Sequence, residues 1–215
     1  MKPSVTLLNN KANKICMKHL FITQIYQKKI KFDLQDLASE IELIKKSDHD
    51  GQLWSATNYQ SGYTSYSSLD KLHQFSSTFE KLQKKFDKHV DAYLKNLDYQ
   101  ASTKTNLKMT NCWVNIMPAA VQHTAHIHPH SVISGTYYVS VPKGASPLKL
   151  EDPRLGFMMN APMLRPNAKL NNQRFVSLAI KPGDLILFES WLRHEVPANA
   201  SKSPRISVSF NYGWV

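Results

Sequence analysis

The sequence predicts an α+β fold, a β-sandwich or barrel buttressed by helices, and three observations carry that expectation. Helical periodicity is confined to the N-terminal half, apolar residues fall into short β-like runs from Lys108 onward, and Gly and Pro turns separate those runs. A chain of 215 residues is long enough for one sizeable core with a helical flank.

Taken in order, residues 18–31 (HLFITQIYQKKIKF) contain the run Leu20, Phe21, Ile22, Thr23, Ile25 and Tyr26 and read as an opening strand. Asp33 or its neighbour caps a helix through LQDLASEIELIKKS, where Leu34, Leu37, Ile41 and Ile44 recur at helical spacing. Residues 50–68 are rich in Gly, Ser, Asn and Tyr and read as loop with short extended pieces. A second amphipathic helix starts near Ser68 or Thr78 and runs to Leu97, with Phe79, Leu82, Phe86, Val90 and Tyr93 on its core stripe. The segment MTNCWVNIM is a strand that puts Trp113, Asn115 and Met117 on one face. SGTYYVSVP is a strand ended by Pro142, and a long irregular segment, 151–173, then leads to the strand RFVSLAI. Lys181-Pro182-Gly183-Asp184 turns the chain into LILFES, and RISVSFNYGW is the last strand.

Composition narrows the function classes. Hydrophobic and charged contents of 42% and 20% are those of a globular chain, and no apolar run approaches the roughly 18 residues of a membrane span. Residues 1–16 lack the apolar core of a secretory signal and read as a disordered leader, with Met17 an alternative start; residues 17–215 form a single domain. Cys16 and Cys112 are the only cysteines and do not read as a disulfide, which fits a reducing cytoplasm. The net charge of +11 comes from lysines spread over helix surfaces with acids between them, a solvated face rather than a nucleic-acid footprint. Such a field still favours an anionic co-substrate. The sequence leaves the oligomeric state open, a homodimer included.

The chemistry centres on His126-Ile127-His128-Pro129-His130. On an extended segment His126 and His128 project to one side, and with a distant third imidazole, His194, they can hold a divalent transition metal with coordination positions left open. In the last strand Ile206, Val208 and Phe210 form one face, and Arg205, Ser207, Ser209 and Asn211 form the other. A polar inward face suits a barrel that holds a polar ligand. Arg205 is a planar fork for a carboxylate, with the Ser207 hydroxyl two residues on.

These residues carry a resemblance. HxH, a later His, and an Arg about ten residues beyond it followed by a hydroxyl residue resemble the Fe(II)/2-oxoglutarate-dependent oxygenases. More narrowly, HIHPHSVISGTYYV, EDPR, PGDLILFESWLRHEVPAN and RISVSFN resemble a bacterial and phage group of these enzymes. The resemblance implies a double-stranded β-helix (jelly-roll) with Fe(II) at its open end, 2-oxoglutarate and dioxygen as co-substrates, and hydroxylation of a small molecule or peptide. His126 and His194 would be iron ligands, and Arg205, assisted by Ser207, would bind the far carboxylate of 2-oxoglutarate. Tyr138 (rather than Tyr137, which points the other way) and Asn115 could reach the same anion. His128 stands where the wider superfamily has Asp or Glu; it is a third ligand in the narrower group, with a substrate contact or hydrogen-bonding role as the alternative. Trp113, Arg154, Trp191 and Arg193 are candidates for the substrate pocket, while His123 and His130 are spare histidines. A cupin is the rival fold, disfavoured by Ser, Val, Ile and Ser after His130 in place of a Glu. A jelly-roll binding protein without catalysis is the other alternative.

Overall fold

The computed structural model describes residues 18–215, so the expected leader, the alternative start at Met17 and Cys16 lie outside the described residues. The opening strand is shorter than expected: β1 spans Tyr26–Lys29, and Leu20, Phe21 and Ile22 are exposed. The reason is the partner. Tyr26 pairs with Leu187 of a strand that ends at Glu189, so the apolar run before residue 24 has nothing to pair with.

Helix α1 (Leu34–Ser47) starts where the Asp33 carboxylate accepts from the amides of Gln35 and Asp36, both at 3.1 Å. Leu37 and Ile41 are buried, with Leu34 and Ile44 packed at the margin. The stretch expected as loop holds a second helix, α2 (His49–Asn58). Its buried residues are Gly51 and Ser55, so no apolar period announces it. Asp48 caps it through Gly51 N–H and also accepts from Tyr63 Oη at 2.7 Å and Ser68 Oγ at 2.6 Å. A Cβ on Gly51 would stand 2.0 Å from Asp48 Oδ2, which is why that helix carries glycine. After β2 (Tyr63–Thr64) and a single turn α3 (Leu72–Phe75), α4 runs Ser77–Asn96, capped by the Ser76 hydroxyl. Phe79, Leu82, Phe86, Val90 and Tyr93 are all buried, as its period predicts.

Among the described residues ten strands form two antiparallel sheets. The remaining eight are β3 (Leu107–Met117), β4 (His123–His126), β5 (Ile133–Ser140), β6 (Leu148–Glu151), β7 (Phe175–Leu178), β8 (Asp184–Glu189), β9 (His194–Val196) and β10 (Arg205–Trp214). The major sheet has the order β1-β8-β5-β10-β3-β2 and the minor sheet β4-β9-β6-β7. One apolar core joins α1 and α4 to the outer face of the major sheet through residues such as Phe86, Phe210, Val208 and Tyr137. A second core takes Met117, Tyr138, Ile186 and Phe188 from the major sheet and Leu148, Leu150 and Val196 from the minor one. The chain is a jelly-roll with helices on one side, as the α+β reading requires. The expected irregular segment is present: 152–174 carries only two 3-10 turns between β6 and β7.

Candidate active site

Strand β10 alternates as its sequence dictates. Ile206, Val208, Phe210 and Tyr212 enter the helix-side core, and Arg205, Ser207 and Ser209 line a cavity between the sheets. Register then sets the rest of the floor. Ser207 pairs with Asn115 on β3 and with Tyr138 on β5, and Ser209 pairs with Trp113 and Thr136, so each row presents residues to the same face. The cavity has an empty volume of about 470 Å³ and is walled on the other side by His123, His126, Leu148, His194 and Val196.

His126 and His194 face each other as register partners on β4 and β9. His128 joins them by a different route from the one expected. Strand β4 ends at His126 and the chain then turns, because His128 N–H bonds to Ser190 O at 3.0 Å and Pro129 has no N–H to continue a ladder. One nitrogen from each of the three rings still lies within 4.8 Å of the other two, a spacing that one cation could bridge. Every ring is oriented from behind. Nδ1 of His126 meets Thr124 O at 2.7 Å, Nδ1 of His194 meets Leu192 O at 2.9 Å, and Nδ1 of His128 meets Asn211 Oδ1 at 2.7 Å. Oxygen acceptors at all three Nδ1 atoms place the protons there and leave the Nε2 lone pairs for a metal.

Burial favours the neutral form of two of these rings, His194 and His128. It pushes His194 down to about 3 and His128 down to about 4, in each case reinforced by the neighbouring His126. His123, stacked on Tyr59 with centroids 4.5 Å apart, falls to about 3 through burial, then His126, Arg205 and His128.

Arg205 is 2% exposed, and among the described residues no carboxylate pairs with it. Its Nη1 donates to Met117 Sδ at 3.3 Å, its guanidinium lies 4.9 Å over the Tyr138 ring, and its Nε has no partner. Among the described residues five other buried side-chain polar atoms lack a partner: His128 Nε2 and Asn115 Oδ1 on the cavity lining, Tyr138 Oη and Tyr59 Oη on rings packed beside Arg205 and His123, and, away from the site, His73 Nδ1. Burial raises both tyrosines, opposed by the charge of Arg205. Unsatisfied polar atoms gathered on one cavity fit a polar, anionic guest beside a cation.

Three expected pocket residues stand elsewhere. Arg154 is exposed and forks onto Asp152 at 2.9 and 2.7 Å. Arg193 reaches Glu151 at 3.3 Å, since the residue before His194 projects away from the cavity. Trp191 is half-exposed in the turn between β8 and β9 and does not line the cavity. Trp113 does line it, with its ring 5.9 Å from that of His128. Of the spare histidines, His123 is at the cavity wall, whereas His130 is an exposed turn residue with φ +66°. Sequence reasoning missed Tyr59, hidden in the unread helix α2 region, and the use of Asn211, although its place on the polar face of β10 was legible.

Residues 111–211 match the family described as "Putative 2OG-Fe(II) oxygenase". That stretch, just under half of the chain, carries the pattern of the 2OG-Fe(II) oxygenases. The matched span holds all three clustered histidines and Arg205 of this oxygenase, while the helices and Tyr59 precede it. Solved structures with the same fold include the α-ketoglutarate-dependent epimerase SnoN of nogalamycin biosynthesis, at 13% identity and TM-score 0.61, over 89% of this chain and 76% of that one. A Pseudomonas putida prolyl-4-hydroxylase is similar at 14% identity and TM-score 0.57, over 89% and 92%. HygX from Streptomyces hygroscopicus, solved with nickel and 2-oxoglutarate, is similar at 13% identity and TM-score 0.57, over 89% and 83%. No curated protein sequence matches the chain. This oxygenase uses Fe(II), 2-oxoglutarate and dioxygen, and among its described residues no helix is long and apolar enough to cross a membrane.

Proposed function

We propose that His126, His128 and His194 hold Fe(II), that Arg205 grips the far carboxylate of 2-oxoglutarate with Ser207 and Tyr138 beside it, and that Asn115 completes the co-substrate pocket. The enzyme would hydroxylate a small molecule or peptide in the cytoplasm, acting as a single oxygenase domain over residues 17–215. Bound iron supplies the activation of dioxygen, and the protein positions and shields that chemistry. The chain's own part is electrostatic and steric. Among the described residues four histidines and one guanidinium line the cavity and no carboxylate does, so a dianion entering it meets a receptor without a competing acid. The deep position of Arg205 would draw the far carboxylate inward and turn the keto-acid end towards the imidazoles. Met117, Phe188 and Val196 supply an apolar surround that keeps bulk water from the bonds so formed.

The observation that carries this reading is the buried guanidinium without a carboxylate: an uncompensated charge of that kind is costly unless a ligand supplies its counter-ion. The test is turnover of 2-oxoglutarate by the purified protein with Fe(II) in air. Succinate is expected even without the primary substrate, slowly, and it should vanish in both His194→Ala and Arg205→Ala. Folded, iron-loaded wild type that yields no succinate under any substrate screen would remove the proposed roles.

A further inference from the structure

His128 occupies the position where the resemblance implies a carboxylate, and its side chain is held unlike those of the other two histidines. For His126 and His194 the Nδ1 acceptors are backbone carbonyls, Thr124 O and Leu192 O, which any side chain at those positions would supply. For His128 the acceptor is a side chain 83 residues away, Asn211 Oδ1. The same Oδ1 also accepts from Ser134 Oγ at 2.8 Å, and Ser134 Oγ lies 2.7 Å from Ser190 Oγ.

Hydrogen-bond directions follow from the atom types. An amide oxygen only accepts, so Ser134 commits its single proton to Asn211 and accepts in turn from Ser190. His128 must then carry its proton on Nδ1, with its lone pair on Nε2, the buried atom that has no partner among the described residues. The backbone repeats the tie, since His128 N–H donates to Ser190 O. Asn211, Ser134 and Ser190 are 5%, 0% and 0% exposed, so water does not compete for these bonds.

We propose that Asn211 is the positioning residue that lets an imidazole serve as a metal ligand at position 128: its oxygen selects the Nδ1–H tautomer and fixes the ring rotation, with the Ser190–Ser134 hydroxyl relay holding the amide. Positions 128 and 211 are in this sense a matched pair. The inference rests on the reading that His128 binds the metal, and the experiment separates the two.

Metal-free protein is titrated with Co(II), and the Cu(II)-loaded form is measured by pulsed electron paramagnetic resonance, which counts coordinated imidazoles through their remote nitrogens. Wild type should give three. Asn211→Ala should lose about 10- to 100-fold in Co(II) affinity and give two. Asn211→Asp, which keeps only acceptor atoms at that place, should restore three imidazoles and bind Co(II) at least as tightly as wild type, a rescue that a purely structural asparagine would not allow. Ser134→Ala removes only the hydroxyl that orients the amide and should lose several-fold; it decides the matter if Asn211→Ala does not fold. Wild-type affinity and three imidazoles in folded Asn211→Ala or, failing that variant, in Ser134→Ala would overturn the proposal, as would loss of the third imidazole in folded Asn211→Asp. His128→Ala is the separate arm. If it leaves affinity and imidazole count unchanged, His128 is not a ligand and the proposed metal set itself fails; if it lowers both while Asn211→Ala does not, only the role of Asn211 fails.

Discussion

His126 and His194 are paired across the minor sheet, opposite each other in register with ring centroids 4.4 Å apart. Two short strands, four and three residues long, therefore fix the spacing of two of the three candidate ligands. His194→Ala is expected to cost more than about 100-fold in Fe(II) or Co(II) affinity, a larger loss than removal of a group behind a ligand gives. Isothermal titration under anaerobic conditions measures it. Retained full affinity in the variant would take His194 out of the set.

Arg205 should affect the co-substrate and not the metal. Removing one partner of a buried charge pair typically costs about 2–5 kcal/mol, so Arg205→Ala should weaken 2-oxoglutarate on the order of 100-fold or more. Co(II) affinity should stay within a few-fold of wild type. Arg205→Lys keeps the charge but loses the planar fork and should recover only part of the binding. Parallel losses of metal and 2-oxoglutarate in Arg205→Ala would indicate misfolding instead.

Acid should destabilise the metal-free protein in a defined window. His194 and His128 sit at about 3 and about 4 in the folded state, below the ordinary 6.5, because burial disfavours their charged forms. The unfolded chain therefore binds more protons below pH 6.5. Stability is complete above that value and declines as pH falls towards 4 and then 3, by up to about 1.4 kcal/mol per pH unit for each ring. Urea midpoints of metal-free protein at pH 7, 6 and 5 measure the slope, and His194→Gln should make it shallower. A slope that the variant leaves unchanged would contradict the assignment.

Helix α4 supports the site from behind. Phe86 is fully buried and stacks on Phe210 at 4.4 Å, one residue from Asn211. Phe86→Ala should cost about 3–5 kcal/mol through lost burial and the cavity left behind. Chemical denaturation gives the value; a change under about 1 kcal/mol would mean that the helix is not anchored there.

What could be read from the sequence follows what periodicity reports. Helices α1 and α4 and the long strands β3, β5, β8 and β10 bury large apolar side chains at regular spacing, and each is where the pattern places it. Helix α2 escapes because its buried residues are Gly51 and Ser55, and the run Leu20–Ile22 misleads because its neighbour strand stops short. For the cavity, alternation along β10 predicts the face of Arg205 and Ser207, and opposite projection separates Tyr138 from Tyr137. Arg154 satisfies Asp152 instead, which sequence proximity allowed but could not decide, and Arg193 satisfies Glu151, 42 residues away, which no local pattern marks. Tyr59 and Asn211 act through partners far along the chain, Tyr59 on His123 and Asn211 on His128, so no local pattern marks them.

The three imidazoles are not mounted on one leaf of the sandwich. His126 and His194 belong to the minor sheet, while the His128 side chain is tethered to β10 in the major one. An ion held by all three would act as a rivet through both leaves, and its binding energy would count directly towards keeping them closed. At a hundred times its dissociation constant such an ion adds about 2.7 kcal/mol to folding, so a chelator should lower the melting temperature by several degrees.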